Sequence, residues 1–137
     1  MTRIASQPIG GPHWDPLTKH VLLICGNRKA SEVTELALIS LGYTVQTTCD
    51  GGDPLAYLRH DKFSGVVFDL DTSNRGREII AEIRQQYRSL PMVTLTEFPD
   101  TEEAVQCMKI GVNDYLVKPI SLEAVKAVLG RWFGEGR

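Results

Sequence analysis

A chain of 137 residues, 42% hydrophobic and 23% charged, has the size and composition of one ordinary globular domain. With 15 Lys and Arg against 17 Asp and Glu, the formal net charge is −2, which argues against nucleic-acid binding because that demands a dense basic surface. The longest apolar runs, such as Val21 to Cys25, fall far short of the roughly 20 residues that span a bilayer, and no apolar leader follows Arg3.

Residues 1–18 hold Pro8, Pro12, Pro16, Gly10 and Gly11 without hydrophobic periodicity, and are expected to be a flexible tail. A single domain over residues 19–133 and a short C-terminal tail at 134–137 follow. His20 to Cys25 is a continuous apolar strand ending in Gly26-Asn27. Ser31 precedes a helical pattern through Val33, Leu36, Ala37 and Ser40, stopped at Gly42. Thr44 to Thr48 is a β-branched strand, and Asp53-Pro54 opens a short helix carrying Leu55 and Leu58. Gly65 to Asp69 is the third strand, and the helix over 77–87 turns Ile79, Ile80 and Ile83 inward. Pro91 to Thr96 is the fourth strand, followed by a helix from Thr101 to Ile110 that Gly111 closes. Tyr115 to Val117 is the fifth, and Ser121 caps a last helix through Leu122, Val125, Leu129 and Trp132.

Strands alternating with helices imply a parallel sheet covered on both faces, hence the almost wholly apolar first, third and fourth strands. Sites in such folds lie at the carboxyl ends of the strands. The residues there are Cys25-Gly26-Asn27, Asp69, Thr96 and Lys118.

Asp69, Thr96 and the run Asp114-Tyr115-Leu116-Val117-Lys118-Pro119 resemble the receiver domain of bacterial two-component response regulators. The likeness covers about residues 19–132 and implies a flavodoxin-like (βα)5 doubly wound sheet in the order 2-1-3-4-5. It implies that Asp69 is the phosphoacceptor, served by a histidine kinase and Mg²⁺. It also implies that Thr96 and Lys118 contact the phosphoryl group, that Tyr115 is the switch aromatic, and that Pro119 follows a cis bond. The chemistry suits the residues. A carboxylate attacks phosphorus once its charge is offset, and an ammonium, a hydroxyl and a metal can spread the developing charge.

Several positions depart from the family. Its acidic metal-binding pair is replaced by Cys25 and Gly26, neither a hard oxygen ligand of the kind Mg²⁺ needs. Asp71 is either a solvated loop acid or a weak metal candidate beside Asp69. Glu97 stands where a small residue is usual, at the mouth of the site and within reach of Lys118, where it repels an arriving phosphodonor. Ser73 and Gly76 sit where the loop after Asp69 looks one residue short. Cys25 is either a small hydrophobe or a redox thiol, and Cys49 and Cys107 are expected in the core. Three widely spaced cysteines fit no zinc pattern and no disulfide framework, as suits a reducing cytoplasm.

The expected function is therefore a cytoplasmic signalling and protein-interaction module, not an enzyme. Mg²⁺ binding is expected to be weak or absent, and phosphorylation likewise. Its partners are a histidine kinase or another signalling protein. A homodimer contact is expected through the fourth helix, fifth strand and fifth helix, with Ala104, Val105, Met108 and Lys109 as candidates. No nucleic acid and no membrane is expected of this chain, which reads as a stand-alone module or a piece of a longer regulator. Two alternatives stand beside it: a conventional Mg²⁺-dependent phosphoacceptor with an unusual metal site, and a flavodoxin-like small-ligand binder. The latter has no nucleophile–base pair and no phosphate loop to support it.

Overall fold

The computed structural model describes residues 19–49, 52–73 and 75–134. The tail expected over 1–18 lies outside them, as does most of the one at 134–137. Five strands form one sheet: β1 (His20–Ile24), β2 (Thr44–Thr48), β3 (Gly65–Asp69), β4 (Met92–Thr96) and β5 (Asp114–Val117). Their order is β2-β1-β3-β4-β5 and every pairing is parallel, the doubly wound arrangement expected.

The side-chain alternation of a strand divides the apolar runs between two cores. Leu22, Ile24, Val66 and Phe68 face one layer with Ile80, Ile83 and Cys107. Val21, Leu23, Val67 and Val93 face the other with Leu38, Val125 and Leu129. The first face is covered by α2 (Pro54–His60), α3 (Gly76–Gln86) and α4 (Glu102–Ile110), the second by α1 (Glu32–Ser40) and α5 (Leu122–Trp132). Asp53, Thr101 and Ser121 each accept a backbone amide of the first helical turn, at Leu55, Ala104 and Ala124. Gly111 stops α4 at a φ of 130°, a conformation that favours glycine. At the amino ends of β4 and β5, Arg84 donates to the carbonyls of Tyr87, Arg88 and Gly111, and the Asn113 side chain accepts from the Met92 amide.

Helix α1 departs from expectation. The chain already turns helical at Lys29–Ser31, where Asn27 Oδ1 accepts the amides of Lys29 and Ala30. Ser31 is buried inside this turn. The buried face then runs through Ser31, Thr34 and Leu38, while Val33 and Leu36 are 70% and 66% exposed. Both spacings fit a helical face. The slim side chains of Ser31 and Thr34 let the helix lie close to the sheet, and Glu35 accepts the Thr47 hydroxyl of β2, fixing its rotation.

Candidate functional site

Parallel pairing brings the carboxyl ends of β1, β3, β4 and β5 to one edge of the sheet. Asp69 ends β3 with its side chain only 2% exposed. Lys118 directly follows β5, and its Nζ lies 2.8 Å from Asp69 Oδ1. The Asp71 amide donates to the same oxygen at 3.1 Å. Asp69 Oδ2 is buried and has no hydrogen-bond partner among the described residues. An unsatisfied carboxylate oxygen in a buried place is costly, which makes it a marked feature of the pocket.

Asp71 is neither a solvated loop acid nor a free ligand. Its Oδ1 accepts the Thr96 hydroxyl at 2.9 Å. Its Oδ2 accepts the Glu97 amide at 2.9 Å and lies 3.3 Å from Lys118 Nζ. Thr96 is held from its other side, accepting the Phe98 amide at 2.9 Å. A single ammonium therefore faces two carboxylates. Burial alone would lower the Lys118 pKa, but the bonds and charges of Asp69 and Asp71 outweigh it and raise it. The strand-end logic located Asp69, Thr96 and Lys118, and the structure brings all three together. It missed the contacts of Asp71, for which the signal was a carboxylate two residues past a strand-end acid.

The β1 side of the pocket is built differently. Cys25 is fully buried, and Gly26 donates its amide to Thr72 Oγ1 at 2.9 Å. A Cβ placed at Gly26 would fall 1.6 Å from the Thr72 carbonyl oxygen. The short loop after Asp69 thus lies directly on the end of β1. Among the described residues, no group of three or more His, Cys, Asp or Glu is arranged to hold a metal ion. Cys107 is buried as expected, but Cys49 is only half-buried, with its Sγ 3.2 Å from that of Cys25. Cys49 directly follows β2, so it sits at the sheet edge rather than within the core.

Glu97 is exposed and lines an open cleft of about 410 Å³ with Val33, Lys118, Pro119 and Ile120. It does not pair with Lys118, whose ion-pair partners among the described residues are Asp69 and Asp71. The Lys118–Pro119 peptide bond is cis. Tyr115 is 42% exposed, on the solvent side of β5 and not in the core. On α4, Val105, Met108 and Lys109 are exposed, whereas Ala104 packs inward because helical geometry puts it on the face of Cys107.

Comparison with known proteins places this geometry. The sequence pattern of the response regulator receiver domain matches residues 21–129. The response regulator ArlR of Staphylococcus aureus is 32% identical over 116 residues, covering 81% of this chain and 52% of the relative. The chain thus spans about half the length of the curated relatives it matches. Among solved structures, the receiver domain of a Pseudomonas aeruginosa sensor histidine kinase, with magnesium coordinated in its active site cleft, superimposes with a TM-score of 0.76. It is 28% identical, over 86% of this chain and 99% of that one. The chemotaxis protein CheY4 of Vibrio cholerae gives 0.74 at 27% identity, over 84% and 98% of the two chains. By the extent of the sequence match, the sheet order and the strand-end triad, the chain belongs to the receiver domain family of two-component response regulators.

Proposed function

We propose that residues 19–133 form a cytoplasmic signalling module, not an enzyme, with Asp69 at the phosphoacceptor position and with weak or no phosphorylation. One observation carries this reading. The Asp71 carboxylate already holds the Thr96 hydroxyl, the Glu97 amide and part of the Lys118 ammonium. These are the donors an incoming phosphoryl group would need, so transfer to Asp69 must first displace an internal anion.

The residues present do not fit Mg²⁺. The ion demands several hard oxygen ligands in near-octahedral geometry. Asp69 Oδ2 is one such oxygen, but the Asp71 carboxylate is taken up by three donors, Cys25 offers sulfur and Gly26 offers no side chain. The Thr72 carbonyl also occupies the space a side chain at Gly26 would need.

The module works by contact with a histidine kinase or another signalling protein. Val33, Leu36 and Ile39 form an exposed apolar stripe on α1, and Val33 reaches the cleft of Glu97 and Lys118. Val105, Met108, Tyr115 and Val117 offer a second apolar surface on α4 and β5, suited to self-association.

The test is intact mass spectrometry after incubation with acetyl phosphate and Mg²⁺. A trace adduct or none is expected, with Asp69→Asn removing whatever forms. A stoichiometric adduct lost in Asp69→Asn overturns this reading in favour of a conventional Mg²⁺-dependent acceptor using Asp69 and Asp71. The buried Asp69 Oδ2, which has no hydrogen-bond partner among the described residues, is what favours that second reading.

A further inference from the structure

We infer that Cys25 and Cys49 are the two halves of a reversible disulfide site at the edge of the pocket, closed when hydrogen peroxide oxidises the facing thiols. The parallel register pairs Ile24 with Thr48, so the residues that directly follow β1 and β2 are Cys25 and Cys49. The Cys25 amide still donates to the Thr48 carbonyl at 3.0 Å, which keeps the two backbones in ladder spacing. Neighbouring strands lie about 4.8 Å apart, inside the Cα separation that disulfides span. The two sulfurs are already 3.2 Å apart, and bonding brings them roughly 1 Å closer. Rotation about the two side chains supplies that movement without shifting the sheet.

The pair is asymmetric in a way that suits stepwise oxidation. Cys49 is half-buried and meets solvent first, whereas Cys25 is fully buried. Burial, then the bond to Cys49, pushes the Cys25 thiol up to about 11. The Cys49 thiolate attacks one peroxide oxygen, the O–O bond breaks, and Cys49 becomes a sulfenic acid as hydroxide leaves and takes up a proton to form water. The Cys25 sulfur then attacks the sulfenic sulfur, the S–O bond breaks, and the Cys25 proton leaves with the hydroxide as a second water. Two thiols and one peroxide give one disulfide and two waters. Each sulfur is oxidised by one electron and the peroxide is reduced by two. Cys107, buried in α4 with no facing thiol among the described residues, is an internal control.

The bond ties together the carboxyl ends of β1 and β2, one residue before Gly26 and its contact with Thr72. It therefore acts where the loop carrying Asp71 rests on the sheet.

The full chain is treated with hydrogen peroxide, the remaining thiols are alkylated, and peptides are mapped without reduction. The expected result is one linked peptide joining Cys25 to Cys49, with Cys107 alkylated throughout. The link opens with dithiothreitol, and the oxidised chain unfolds at a higher temperature than the reduced one. Cys107→Ser still forms the link, and Cys25→Ser and Cys49→Ser do not. Links through Cys107, Cys49 carried on to sulfinate while Cys25 stays alkylatable, or no link in the folded parent chain would each overturn the proposal. The parent map does not depend on whether the variants fold.

Discussion

The two halves of the pocket contrast. On the side of β3, β4 and β5, Asp69, Thr96 and Lys118 converge within hydrogen-bonding distance of one another or of Asp71. On the side of β1, no acid stands at the strand end, and Cys25 and Gly26 pack against Cys49 and Thr72. The difference has a physical origin. Asp69 is buried, so removing Lys118 would leave an uncompensated charge inside the protein. Acids at the end of β1 have no such structural duty. Without them a small apolar thiol and a glycine fill the place at no electrostatic cost, and Asp71 is free to turn inward and share Lys118.

Breaking the first half should have the largest effect. Lys118→Met is expected to cost about 3 kcal/mol, the low end for splitting a buried ion pair, because Lys118 remains partly exposed. Adding Asp69→Asn should recover most of that loss. Denaturant midpoints of the two single variants and the double decide it, and a Lys118→Met cost below that of an ordinary surface pair contradicts the account.

Disturbing the second half comes next. Gly26→Ala puts a methyl group against the Thr72 backbone and is expected to cost about 2 kcal/mol by overpacking. It should also raise amide exchange at residues 71–73, since the loop must move. Unchanged stability and exchange would show that the loop does not rest on β1. Restoring the family's acids with Cys25→Asp and Gly26→Asp meets the same obstacle.

Alkaline pH weakens both halves. Burial, as the first cause, lifts the Cys25 and Cys107 thiols from 9.0 to about 11. A proton held more tightly in the folded chain gives stability that is fully present below pH 9 and is lost as pH rises through about 11. Lys118, raised from 10.5, has the same sign at higher pH. Urea midpoints followed into the alkaline range should fall, and Cys25→Ser should flatten part of that fall.

The smallest effect belongs to Glu97. Its side chain is exposed, so Glu97→Ala should shift stability by less than about 0.5 kcal/mol. Any trace of labelling at Asp69 should rise modestly, and only at low salt, where its repulsion is least screened. A large, salt-independent rise would make Glu97 a steric gate instead.

Much of the fold was legible because β1, β3 and β4 are mostly apolar runs, and the polar residues that end β3 and β4, Asp69 and Thr96, mark the site. The phase of α1 was not legible, since Val33-Leu36 and Thr34-Leu38 are competing stripes that only packing separates. Asp71 was hidden for another reason. Its partners Thr96 and Glu97 lie 25 and 26 residues away and come near only through sheet order. Cys49 likewise became a partner of Cys25 through the register of β1 with β2.

The most direct test of the contrast is calorimetric titration of the full chain with Mg²⁺, beside Asp69→Asn as a control. A pocket whose anion-binding half is filled by Asp71 and whose β1 half lacks acids predicts no saturable binding in the millimolar range and identical traces for parent and variant. Saturable binding below that range, lost in Asp69→Asn, would contradict the account.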